Sequence, residues 1–86
     1  MSTSAVRVSP LAHSVSCTDD ELVVSLADGR VLSVPLAWFP RLFDATAEQR
    51  KNWELLGNGE GIHWPDVDED LSVEGLLRGT PAPSRR

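Results

Sequence analysis

Three clusters in the chain carry residue types that can do chemistry. The first is Asp66-x-Asp68-x-Asp70, which spaces carboxylates as the opening of a calcium loop does. Such a loop needs a glycine at its sixth position and a glutamate at its twelfth. Leu71 and Leu77 stand there instead. An acidic, solvated turn that supplies negative charge to a following helix N-terminus explains the run better. The second is His63, near enough to that turn to suggest a transition-metal ligand, but without a matching ligand pair at zinc spacing. No metal or other cofactor is expected. The third is His13 and Cys17, four apart and on the same side of an extended segment. Nucleophilic catalysis needs a nucleophile, a base and an orienting group in mutual reach, and a four-residue spacing does not by itself assemble them. Gly-rich phosphate loops, Cys-x-x-Cys, Gly-x-Ser-x-Gly and His-Glu-x-x-His are all missing from the sequence. The expectation is therefore that this is not an enzyme.

Recognition is the remaining chemistry. The chain has three tryptophans (Trp38, Trp53, Trp64), two phenylalanines and no tyrosine. Tryptophan is rarely fully buried and is common in interfaces. The plain reading is that all three staple a small core. The sharper one is that Trp38 or Trp64 borders a groove for a protein. In His63-Trp64-Pro65, strand alternation puts Ile62 and Trp64 on one face and His63 on the other. The candidate partner-binding set is thus an aromatic rim of Trp38, Phe39 and Trp64, with His63, bordered by Asp66, Asp68, Glu69 and Asp70. Aromatics would supply buried area, and the acids orientation and on-rate.

Composition sets the limits. Eighty-six residues make one domain, and a chain of that length buries only about 60–65% of its unfolded surface. A surface groove or shared interface is easier to build than a deep pocket. Net charge is −5, which opposes direct nucleic-acid binding. It suits solubility, a basic partner, or mimicry of nucleic-acid charge. One cysteine, Cys17, excludes an internal disulfide. The start, Met1-Ser2-Thr3-Ser4-Ala5, lacks the features of a signal peptide, and no apolar run spans a bilayer. A cytoplasmic, bacterial protein is expected, without membrane contact.

The elements that must position these residues follow from patterning. A hairpin is expected over 21–36. Leu22, Val24 and Leu26 share a face with Leu32 and Val34 only if the loop is Ala27-Asp28-Gly29, which sets Leu26 opposite Arg30 and Val24 opposite Leu32. A helical turn follows Pro40. Thr46 and Gln49 form a capping box for a helix over about 47–56, with Trp53 and Leu56 inward and Gly57-Asn58-Gly59 as its stop. A short strand is expected at 60–64, an acidic loop at 66–70, and a last helix capped by Ser72 with Val73, Leu76 and Leu77 inward and Gly79 as stop. Ala5–Val8 is either a frayed start or an additional edge strand. The whole is an α+β fold: a small antiparallel sheet with two or three short helices on one face. The domain is expected over 1–79 and a disordered tail over 80–86.

These segments together resemble a known pattern. The Asp28-Gly29 hairpin, Trp38-Phe39-Pro40-Arg41-Leu42 and Ala45-Thr46-Ala47-Glu48-Gln49-Arg50 carry its first half. Gly61-Ile62-His63-Trp64-Pro65, Asp68-Glu69-Asp70-Leu71-Ser72 and Gly75-Leu76-Leu77 carry the second. Over roughly residues 12–79 the chain resembles the small bacterial domain-of-unknown-function family 2442. The resemblance implies a compact α+β fold and no established activity. It also implies association: some members are encoded beside another small protein in toxin–antitoxin-like pairs, and some are fused to a DNA-binding domain. The leading expectation is a non-enzymatic protein-interaction module, an accessory or antitoxin-like partner of another small protein. The alternatives are an acidic inhibitor that mimics nucleic acid before a basic protein, and a small scaffold that self-associates as a homodimer through a strand edge.

Overall fold

The structure is a computed structural model that describes residues 10–79. The strand considered at Ala5–Val8 and the tail over 80–86 lie outside the described residues. The chain runs through β1 (Ala12–Cys17), β2 (Glu21–Leu26) and β3 (Val31–Pro35), then a 3-10 turn (Leu36–Trp38). It continues through α1 (Pro40–Phe43), α2 (Ala47–Lys51), β4 (Glu54–Leu56), β5 (Gly61–Trp64), β6 (Glu69–Ser72) and α3 (Val73–Arg78). The α+β class read from the sequence is the one observed. The strands, however, divide into two antiparallel sheets of three, ordered β1-β2-β3 and β4-β5-β6.

The β2–β3 hairpin has the register that hydrophobic alternation requires. Val24 pairs with Leu32 and Leu22 with Val34. The Leu26 N–H donates to the Arg30 carbonyl at 2.8 Å, and the Gly29 N–H to the Leu26 carbonyl at 3.0 Å. Gly29 has φ +98°, the left-handed position that such a three-residue loop needs. Asp28 holds the turn, accepting from the Arg30 backbone and pairing with its guanidinium at 2.7 Å.

The helix expected over 47–56 is shorter. The Thr46–Gln49 capping box starts it as predicted, but α2 ends at Lys51, because Asn52 turns to φ −92°, ψ 70°. Trp53 and Leu56, three apart, imitate a helical stripe. In the structure Trp53 and Leu55 alternate with Glu54 and Leu56 in period two, and Leu56 is 40% exposed rather than inward. Gly57-Asn58-Gly59 is accordingly a hairpin turn into β5, with Gly57 and Gly59 at positive φ. The acidic loop also stops early. Asp68, at φ 54°, closes a turn, and β6 begins at Glu69. Its register pairs Ile62 with Leu71, His63 with Asp70 and Trp64 with Glu69. The last helix keeps its expected caps, with Ser72 accepting from the Gly75 N–H and Gly79 left-handed, although Leu77 is exposed.

The two sheets share one core. Leu22, Val24, Leu26 and Val34 from the first and Ile62, Trp64 and Leu71 from the second belong to one buried cluster, with Leu36, Phe39, Leu42, Val73 and Leu76. Backbone bonds tie the sheets: the Ala12 N–H donates to the Gly59 carbonyl at 2.7 Å, and the Val73 N–H to the Glu60 carbonyl at 3.0 Å.

Candidate functional site

The aromatic rim drawn from the sequence is not a surface. Phe39 is 1% exposed and Trp64 is wholly buried. Trp64 lies on the same strand face as Ile62, which turns inward, and its indole N–H donates to the Arg50 carbonyl at 3.1 Å. Burial on that scale is worth several kcal/mol to a small core, so Trp64 is a staple of the fold. Trp38 alone of the three rim residues keeps exposed surface. It meets Phe39 edge-on at 6.4 Å and leans against Gly79 at the end of α3. Glu69, placed on the acidic border by sequence, is only 8% exposed, because its strand pairing with Trp64 turns it to the covered face.

The remaining acids do gather. Asp66 and Asp68 sit on the exposed turn between β5 and β6, and Asp70 follows on β6. The turn is held to the helices. Asn52 donates to the Asp66 carboxylate at 3.1 Å, and Arg41 Nη1 donates to the Asp68 backbone carbonyl at 2.6 Å. His63 faces outward between two neighbouring strands, opposite Glu54 on β4 and Asp70 on β6. Its Nδ1 bonds the Asp70 carboxylate. That hydrogen bond raises the imidazole pKa above its ordinary value. Desolvation opposes the shift, and the charges of Asp70, Glu54 and Asp68 add to it. The row is a cross-strand ion pair of the kind that stabilises sheets. Among the described residues, no cluster of three His, Cys, Asp or Glu is arranged to hold a metal ion.

Two features lie outside that candidate set, and the sequence anticipates only the first, as a strand edge open to self-pairing. One is the outer edge of β3. In an antiparallel ladder the backbone groups of successive residues point alternately to either side. The Leu26–Arg30 and Asp20–Leu36 bonds fix the phase: Leu32 and Val34 bond β2, so Val31 and Ser33 direct their N–H and C=O groups away from the sheet. Pro35, which has no N–H, occupies the next outward position without loss. Val31 is 63% exposed. The register legible in the sequence already implied this edge. The other feature is a groove of about 260 Å³ between the end of β1 and α2, lined by residues 15–19 and by Ala47, Arg50, Lys51 and Trp53. Cys17 lies in its wall. Burial raises the thiol pKa, and the charge of Arg50 opposes that. Only tertiary structure brings these two segments together, and no spacing in the chain announces the groove.

Comparison with known proteins returns the family described as "Protein of unknown function (DUF2442)", matched over residues 12–82. No curated protein matches. Two solved structures are similar. One is a protein of unknown function from Rhodospirillum rubrum ATCC 11170, 29% identical, with a TM-score of 0.77, over 90% of this chain and 95% of that one. The other is the uncharacterized protein CV0863 from Chromobacterium violaceum, 28% identical, with a TM-score of 0.73, over 86% of this chain and 70% of that one.

Proposed function

This chain belongs to the DUF2442 family, and on that footing we propose that it is a non-enzymatic protein-interaction module, an accessory or antitoxin-like partner of another small protein in the bacterial cytoplasm. The observation that carries the reading is the outer edge of β3, which no strand among the described residues pairs. Val31 and Ser33 offer outward N–H and C=O groups beside an exposed valine side chain. An edge of this kind accepts an extended segment as a further strand, with backbone bonds for affinity and side chains for selection. Half-exposed Trp38 and exposed Leu77 add apolar area elsewhere on the surface. The exposed carboxylates of Asp66, Asp68 and Asp70 supply steering charge.

Ser33→Pro tests this. The Ser33 N–H is not used by β2, so proline there blocks the edge while leaving the hairpin ladder intact. Tagged wild-type protein should capture one stoichiometric small partner from its source lysate at both low and moderate salt, and the Ser33→Pro protein should not. Capture by both proteins alike would remove the edge from the argument. Capture by neither would remove the module. The same edge favours a second reading, self-pairing of two copies. Sedimentation of the purified chain separates the two, since a dimer lost in Ser33→Pro would assign the edge to self-association.

A further inference from the structure

The groove between β1 and α2 combines three things that seldom meet on an acidic chain. The first is a backbone donor. The Thr18 N–H donates to the Glu21 carbonyl at 2.9 Å, which fixes the phase of the β1–β2 ladder. Ser16 therefore bonds β2, while Val15 and Cys17 turn their N–H and C=O groups the other way, towards the groove. No other backbone group among the described residues bonds them. The second is positive charge. Arg50 spends Nε on the Leu42 carbonyl at 2.9 Å and Nη2 on the Phe43 carbonyl at 2.8 Å, which locks the guanidinium in place with Nη1 left over. The Lys51 ammonium makes no hydrogen bond or ion pair among the described residues. The other described cations are engaged: Arg30 with Asp28, Arg78 with Glu74, and Arg41 with the Asp68 carbonyl. The third is an apolar wall, made by Val15, Ala47 and the half-buried indole of Trp53.

We propose that this groove is a binding site for a carboxylate carried on a small apolar group. The outward N–H of Cys17 and the charges of Arg50 and Lys51 take the carboxylate, and the Trp53 wall takes the apolar part. Asp19, also in the lining, leaves two cations against one carboxylate. The surplus suits a monoanion and disfavours phosphate. The volume of about 260 Å³ lies just under the usual range for small-molecule pockets, so the ligand is a fragment. Such a carboxylate comes either from a free short-chain acid or from the C-terminus of a polypeptide. The outward N–H of Val15 discriminates. It lies about 7 Å along the strand from that of Cys17, too far for one carboxylate to reach both, but near enough for the amide preceding a peptide C-terminus. This site goes beyond the β3-edge reading and does not depend on it.

The test is an amide NMR titration of the full chain with four probes: 3-methylbutanoate, acetyl-threonyl-valine with a free C-terminus, the same dipeptide as its C-terminal amide, and inorganic phosphate. The Cys17 amide and the Trp53 indole should shift with either carboxylate and not with the amide or phosphate. A concurrent shift of the Val15 amide with the dipeptide assigns the site to chain termini, and binding of 3-methylbutanoate alone assigns it to free acids. Lys51→Glu, at an exposed position that leaves the core untouched, should weaken binding about tenfold. Equal binding of the C-terminal amide, equal binding of phosphate, or an unchanged affinity in Lys51→Glu would each overturn the proposal, as would the absence of any shift at tens of millimolar probe. None of these results bears on capture of a partner through β3.

Discussion

His63 stands between carboxylates from two other strands, and that position gives the fold a pH-dependent contact. Because the Asp70 hydrogen bond raises the folded-state pKa above the ordinary value of about 6.5, the charged pair favours the folded state. Its contribution is complete below the unfolded value while Asp70 is ionised. It is lost as pH rises through the higher folded value. Asp70→Asn should bring the His63 titration back towards its ordinary value and flatten the stability profile across neutral pH. Imidazole NMR and denaturant midpoints at several pH values measure both. A wild-type His63 that titrates like a free histidine would remove the contact from the energetics. At this scale the sequence was half legible. Alternation set His63 opposite in face to Ile62 and Trp64, which is what β5 does. It does not reveal that the inward face of so short a strand is wholly covered, nor that the turn before α1 tucks Phe39 inside, so the core occupies the rim that Trp64 and Phe39 suggest.

Each element was most legible where local chemistry decides it. The β2–β3 register followed from the demand that five apolar residues share one face, and the start of α2 followed from a capping box that satisfies two orphan N–H groups at once. The end of α2 was not legible, because Trp53 and Leu56 fit a period of 3.6 as well as their true neighbours fit a period of two. β1 was obscured by its serines, and β6 by two acids that resemble loop. The cap makes its own prediction. Thr46→Ala should destabilise the domain by about 1 kcal/mol, read as a shifted denaturant midpoint. The effect should be felt at the groove, since α2 supplies one wall of it. No shift in midpoint would mean that Arg50, bonded to the Leu42 and Phe43 carbonyls, holds α2 without its cap.

Taken whole, the molecule is two small sheets that neither stand nor fall separately. Each sheet spans fewer than the roughly 40 residues that a chain needs to bury a core of its own, but Leu22 and Val24 of one sheet and Ile62 and Trp64 of the other are members of a single buried cluster. Unfolding should therefore be one transition. Leu22→Ala in the first sheet should cost about 2–5 kcal/mol and Trp64→Ala in the second about 3–5 kcal/mol, against a total of roughly 4–13 kcal/mol for a chain of this length. Far-UV circular dichroism and hydrogen exchange should give coincident midpoints in each variant. Distinct midpoints for the two sheets would show two cooperative units. The three tryptophans lie at graded depth, with Trp64 sealed and Trp38 and Trp53 half covered. That gradation makes the chain its own optical instrument. A soluble quencher such as acrylamide will extinguish the emission of the two shallow indoles first and leave the blue-shifted light of Trp64. The first signal then reports on the groove and the end of α3, the second on the integrity of the fold, and neither needs a dye.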